Sequence, residues 1–477
     1  MKSRKRPNPS SSSGDSDSLR NEMKVSELKY QQRIDDAQGT DGEAVYVGAF
    51  AKYLAEVKDD VQGAAEQYKK MLALFHERNE PQLRTLQQQS SSSSSSSTAS
   101  HVSSYPQLPG LCMYLASYAQ FLSESLNNHD AAEDLYQKVL SFDDSHPLAL
   151  GNYAVLLHTI RKKYDEAEQY YAAATRVHPR HASVWVKFGN FKKHVRRDYK
   201  GAEECYKSAL KANANHPDAL GNYAVLLHGS LQRYAEAEEL YKRAVSVDDS
   251  HVNNLGNYAL FLADVRTKPD EAEIFYKQAI ALDPRHANSL YNYAVMLDST
   301  RKDFKTAERY YRQAIDSNPS HAFSHYNLAV LLEEVKEDYD GAEKHFELAI
   351  KANPRDALAL GDAATFFKNV RKNYDRAEEL FKLSLEQDDT CASVLYNYGN
   401  LLKNIRKDVD EAEQMYLLAI KEEPKHADAL GNLANLYATR GDLKKAAATY
   451  ERALRAKPDH SENSKNFAKL KKRMSGK

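Results

Sequence analysis

Cysteine is scarce: Cys112, Cys205 and Cys391 are far apart, lie in apolar-periodic segments and form no CxxC pair. That excludes a disulfide framework and points to a reducing, intracellular compartment. Long hydrophobic runs are missing, with no stretch of 18 or more apolar residues, so no membrane-spanning helix is expected. The start, MKSRKRPNPSSSSGDSDS, has a basic cluster but no apolar run after it, unlike a secretory signal. Neither sign of charge is in excess: the formal net charge is −1, which gives no general pull toward nucleic acid or a charged membrane. No GxxxxGK, GxGxxG, HExxH or nucleophile elbow occurs, so nothing argues for catalysis, and no cofactor or metal is expected.

What is present is repetition. The octamer GNYAVLLH runs from Gly151 to His158 and again from Gly221 to His228. Alanines recur at 35-residue steps from Ala132 through Ala167, Ala202, Ala237, Ala272, Ala307, Ala342 and Ala377 to Ala412, with a last step of 34 to Ala446. An aromatic follows each four residues on, from Tyr136 and Tyr171 to Phe346, Phe381, Tyr416 and Tyr450. A small residue usually follows three later, and proline closes many units, as at Pro179, Pro284, Pro319, Pro354, Pro424 and Pro458. Leu150, Tyr153, Ala154, Leu157 and Ile160 have helical spacing, as do Ala167, Tyr171 and Ala174. Each unit therefore reads as two helices joined by a short polar turn. Small residues let the helices approach, and proline suits the exit. One pair cannot bury its apolar face alone, so neighbours must stack.

This small–small–aromatic–small–proline pattern resembles the tetratricopeptide repeat family. The unit HADALGNLANLYATRGDLKKAAATYERALRAKPD fits its 34-residue form, and the others carry one extra turn residue: Arg161, Arg196, Arg266, Arg301, Lys336, Arg371 or Arg406. The resemblance implies an all-α fold, a right-handed superhelical solenoid of antiparallel helix pairs, with about eleven repeats. Residues 1–42 read as a disordered tail with a short helix around 23–34. Residues 43–78 form the first repeat, and 79–110 a Ser-rich low-complexity insertion. Residues 111–459 hold ten repeats. In 460–477, a capping helix would lay Phe467, Ala468 and Leu470 on the last repeat.

Asparagine recurs at one first-helix position: Asn152, Asn222, Asn257, Asn292, Asn327, Asn397 and Asn432, with Asn466 in the cap. Ala49, Ser117, Lys187 and Asp362 stand there in other units. On a helical wheel the position lies roughly opposite the packed side, the face that lines the groove in the family the repeats resemble. The preceding residue varies between glycine and tyrosine, which suggests an open rather than a packed site. An amide can pair with a peptide C=O and N–H together. The column is similar to the asparagine ladder of O-linked N-acetylglucosamine transferase repeat arms, and the resemblance implies peptide holding without a catalytic domain. An equally open reading has the amides bonding neighbouring helices. One turn on, Asp298 and Glu333, then Lys368 and Lys403, would set groove selectivity by charge, with Asp264 and Glu334 beside them.

Other patterns read as structural. His146, His181, His216, His251, His286, His321 and His426 open the units one apiece, which suits helix starts or inter-repeat packing rather than a shared metal. The basic clusters and DEAE stretches sit at helix ends, where the helix dipole favours them. The expected function is a non-enzymatic scaffold or adaptor whose partners are other proteins, held as extended peptides. Pentatricopeptide-like RNA binding is the alternative, as is a co-chaperone or regulatory-subunit role; nucleic acid and membrane partners are not expected. KSRKRP and KLKKRM leave cytoplasmic and nuclear locations open.

Overall fold

The computed structural model describes residues 13–40, 42–81 and 108–475. The described residues are all-helical: eleven antiparallel pairs, preceded by a helix over Ser13–Asp36 and followed by one over Ser461–Met474. They fall into two compact units, residues 1–249 with five pairs and residues 250–477 with six. The tail read as disordered thus contains a helix longer than the one expected. Its Tyr30 ring packs 5.1 Å from Tyr53, and Ile34 is buried. Residues 1–12 and 82–107, which include most of the Ser-rich insertion, lie outside the described residues. The first repeat docks on the second: Gly48 faces Tyr114, and one buried cluster joins Val47 and Ala51 to Leu111 and Leu115.

The periodic residues build the stack. Ala167, Tyr171 and Ala174 are fully buried, as are Ala307 and Ala314. Each aromatic of this type contributes roughly 2–3 kcal/mol by leaving water. Two expected packing residues differ. Ile160 caps its helix and is 40% exposed. Ala468 faces solvent, while the cap packs through Phe467, Leu470 and buried Asn463, whose amide donates to Ala427 O at 3.0 Å.

The histidines cap helices. Nδ1 of His146, His216, His286, His321, His426 and His460 accepts the backbone N–H three residues on, at 3.2–3.4 Å. Nδ1 must be bare to accept, so Nε2 carries the proton. His286 then donates across to Asn253 Oδ1 (2.9 Å) in the preceding repeat, and His460 to Asp428 Oδ1 (2.8 Å). His181 makes no such cap, and Asp356 takes the role in its own unit.

The extra turn residue is absorbed as a wider helical turn. Four first helices end in π-helical turns at Lys192–Arg196, Leu297–Arg301, Phe367–Arg371 and Leu402–Arg406. A π-turn is how a helix accommodates one inserted residue. Each is followed by a left-handed non-glycine residue: Arg197, Lys302, Lys372 and Lys407. The 34-residue unit closes instead on Gly441, also left-handed. The basic turn residues do more than complement a dipole. Arg161 reaches back to Asp130 and Glu133 (2.7 Å), and Arg196 to Asp165 and Glu168 (2.8 Å), linking successive repeats.

Candidate first-helix binding face

The position before the asparagine column is tightly packed in several units, which corrects the open-face reading of its glycines there. A Cβ on Gly256 would stand 2.6 Å from Ser289 Oγ, and one on Gly361 2.6 Å from Val394 Cγ2. Glycine there lets the next first helix approach. Where tyrosine stands instead, the residue 33 positions on is small: Ser324 after Tyr291, Ala359 after Tyr326, Ala429 after Tyr396. Against the valines that face Gly151 and Gly361, this trades volume between neighbouring repeats, although Gly256 with Ser289 is small on both sides.

Those tyrosines decide what the next polar residue does. Asn327 Nδ2 donates to Tyr291 Oη at 3.1 Å. Tyr326 Oη donates to Asp362 Oδ2 at 2.6 Å. Tyr396 engages Asn432, which also donates to Asn400 Oδ1 at 2.7 Å. Asn397 has Gly361 rather than a tyrosine 36 residues before it and accepts instead from Lys368 Nζ at 2.9 Å. In the first unit, Asn152 is buried, donates to Gln120 Oε1 (3.0 Å) and accepts from Lys187 Nζ, spanning three repeats. Asn222 in the first unit, and Asn257 and Asn292 in the second, are half-buried and hydrogen-bond to none of the described residues. The asparagines therefore divide into four that tie repeats together and three whose amides are free.

A second pattern runs one to two turns further along the first helices. The second-helix tyrosine reaches through the pair and presents its hydroxyl to this face. Tyr171 meets His158 (3.3 Å), Tyr206 donates to Asn190 (2.6 Å), Tyr311 to Asp298 (3.3 Å) and Tyr416 to Asn400 (2.8 Å). Tyr276 finds only Leu260 and Ala263 at the corresponding positions, and its buried hydroxyl has no hydrogen-bond partner. In two repeats the aromatic is phenylalanine, Phe346 behind Glu333 and Phe381 behind Lys368, so no hydroxyl is offered to these charges.

Asp298, Glu333, Lys368 and Lys403 lie half-buried, while Asp264 and Glu334 beside them are exposed. Burial raises the carboxyls of Asp264, Asp298 and Asp362 above the ordinary range. It pushes Glu333 up to about 7, with Glu334 and Asp362 adding to the effect. Burial brings Lys368 down to about 8, helped by Lys372, and lowers Lys403 despite Glu462. Glu333 and Lys368 occupy neighbouring repeats but form no ion pair. Beside Lys368 opens a cavity of about 380 Å³ lined by Lys368, Lys372, Tyr396, Asn400, Asn404 and Asn432, among others, with no carboxylate in its wall. Lys372, Asn400 and Asn404 were not expected here; the signal for Asn400 was its place one turn beyond Asn397, matched by Asn190 and Asn435 in other repeats.

Among the described residues, no three of His, Cys, Asp and Glu are grouped to hold a metal ion. The buried Cys112 and Cys205 thiols are pushed up to about 12 by desolvation, which suits packing rather than nucleophilic chemistry. No described helix is long and apolar enough to cross a membrane.

The tetratricopeptide repeat family model matches residues 195–251, 263–322, 300–357 and 406–461, so the chain carries such repeats over these stretches. No curated protein matches in sequence. Among solved structures, YrrB, a TPR protein with an unusual peptide-binding site, is 24% identical and covers 40% of this chain and 96% of its own, with a TM-score of 0.35. Yeast Tom70 is 15% identical over 76% of this chain and 95% of its own, at 0.37. A human IFIT1 dimer with PPP-AAAA is 18% identical over 73% and 90%, at 0.45.

Proposed function

We propose that the chain is a non-enzymatic scaffold that binds extended peptide segments of other proteins along its first-helix face. The observation that carries this reading is the set of half-buried, unpartnered amides at Asn222, Asn257 and Asn292. Their amide atoms reach solvent, so water satisfies them in the free protein and a peptide would take that water's place. A peptide backbone supplies the missing donor and acceptor without regard to sequence. Asn152, Asn327, Asn397 and Asn432 serve the fold, which narrows the ladder to the free positions. The acids Asp264, Asp298 and Glu333 weigh against an RNA backbone on this face of the second unit, through like-charge repulsion.

The test is a random peptide-display selection on the full chain. Enriched peptides are then titrated against wild type and a variant with Asn222, Asn257 and Asn292 all changed to Ala. Loss of affinity at unchanged melting temperature supports the reading. Undiminished affinity in the variant, or no enriched peptide, contradicts it.

A further inference from the structure

Two charges on the second unit's first-helix face stand out because the repeat pattern withdraws their usual partner. In most units a second-helix tyrosine gives its hydroxyl to the polar group on this face. Glu333 and Lys368 are backed by Phe346 and Phe381, so neither receives one. Among the described residues, Lys368 Nζ has only the Asn397 amide oxygen and the Phe381 ring, 5.8 Å away. Glu333 has no hydrogen bond or cation among the described residues, and its charged neighbours, Glu334 and Asp362, are both acidic. The two do not neutralise each other, and each is shifted toward its uncharged form by burial. A half-buried charge held this way is destabilising for the free protein and favourable to whatever completes it. The cavity beside Lys368 adds shape. Two lysines and four asparagines, with no carboxylate, form a wall suited to a carboxylate side chain.

We propose that this stretch, from Glu333 to the cavity over Lys368 and Lys372, binds an internal peptide segment carrying a basic side chain and, about three residues away, an acidic one. The inference rests on the peptide-binding reading above and adds the ligand's chemistry to it. Neighbouring first helices pack roughly 10 Å apart, and an extended chain rises about 3.3 Å per residue, which sets the spacing. The basic group would pair with Glu333. The acidic group would enter the cavity and hydrogen-bond to Lys368. Glu333 and Asp362, adjoining the lysines, would repel a polyanion, so the site suits a mixed-charge peptide and not an RNA strand.

The test uses the display-selected peptides, synthesised with amidated C-termini so that no terminal carboxylate contributes, and fluorescence anisotropy on the full chain. The enriched peptides are expected to share a basic and an acidic residue two to four positions apart. Changing the acidic residue to its amide should weaken binding about tenfold to wild type, and not at all to a Lys368→Met, Lys372→Gln variant. Changing the basic residue to Gln should do the same against wild type but not against Glu333→Gln. Circular dichroism on each variant confirms that helicity is kept. If a variant fails to fold, the exchange Glu333→Lys with Lys368→Glu provides the readout, because it should reverse the favoured order of charges. Peptides enriched without charge preference, or preferences unmoved by these variants, overturn this inference while leaving the peptide-binding reading intact. Absence of any enriched peptide overturns both.

Discussion

At the inter-helix turns of residues 250–477, Arg371 and Arg406 reach back to Asp340 and Asp375 at 2.5 Å, and Arg301 and Arg440 do the same to Asp270 and Asp410. On the first-helix face of the same unit, Asp298, Glu333, Lys368 and Lys403 form no ion pair among the described residues. The turn aspartates are exposed, Asp340 to 94%, and water already solvates them, though the same arginines also hold half-buried glutamates such as Glu378 and Glu413. The face charges are half-buried, so water solvates them poorly. Exposed aspartates are thus paired while these half-buried face charges are not. Stability alone would select the opposite, since exposed ion pairs add only about 0–1 kcal/mol. A face that keeps unpaired, half-buried charges in the free protein fits the peptide contact proposed above.

The comparison can be broken first through packing. Gly361→Ala places a Cβ 2.6 Å from Val394, a branched residue that cannot swing away, and should cost about 1–3 kcal/mol by thermal melt. Val394→Ala in the same chain should restore most of it. Gly151→Ala meets Val184 at an ordinary 3.4 Å and should be neutral or stabilising by up to about 1 kcal/mol. Equal losses at both glycines would refute the traded-volume account.

Charge comes next, and here pH separates two groups in one repeat. Glu333 has a folded-state pKa near 7, raised above its unfolded 4.5. Its uncharged form is favoured in the fold, so stability is fully present below 4.5 and is lost as pH rises through 7. Glu333→Gln should therefore melt higher than wild type at pH 8 and match it at pH 4.5. The His325–His345 pair acts in the opposite sense. The two Nδ1 atoms lie 2.9 Å apart, both rings are buried, and His325 Nε2 donates to Pro319 O at 3.1 Å. Burial, with His325, Arg312 and Lys344 adding, takes His345 down to about 4 from 6.5. A depressed folded pKa gives stability that is present above 6.5 and lost as pH falls toward 4. Replacing both histidines by Leu, the residue most other units carry at the first of these positions, should flatten the melting temperature between pH 5 and pH 7. An unchanged acid slope in that variant would show that the loss arises elsewhere.

The smallest effect belongs to the turns. Arg406→Ala should cost under about 1 kcal/mol, and less in high salt. A larger, salt-insensitive loss would mean that these pairs clamp the repeats.

The fold was legible because its determinants are local. Small residues and aromatics at fixed offsets mark which sides of a helix pair must meet, and Ala167, Tyr171 and Ala174 are buried where their spacing placed them. The face was legible only in part, because what decides it lies one repeat away. Whether Asn327 is free depends on Tyr291, 36 residues earlier. Whether position 361 must be glycine depends on Val394, 33 residues later. The role of Arg196 depends on Asp165, 31 residues before it. Reading each unit alone, the Gly-or-Tyr position looks permissive and the turn arginines look like dipole partners. Aligning each unit against its neighbour exposes the compensation, and also the exchange of tyrosine for Phe346 and Phe381 behind Glu333 and Lys368.

The most direct measurement compares two pairs of asparagines in the second unit by melting temperature and by affinity for a display-selected peptide. One variant carries Asn257→Ala and Asn292→Ala, the other Asn327→Ala and Asn397→Ala. The account predicts that the first melts like wild type and binds at least about tenfold more weakly, while the second melts earlier. A first variant that melts early, or that binds as tightly as wild type, would contradict it.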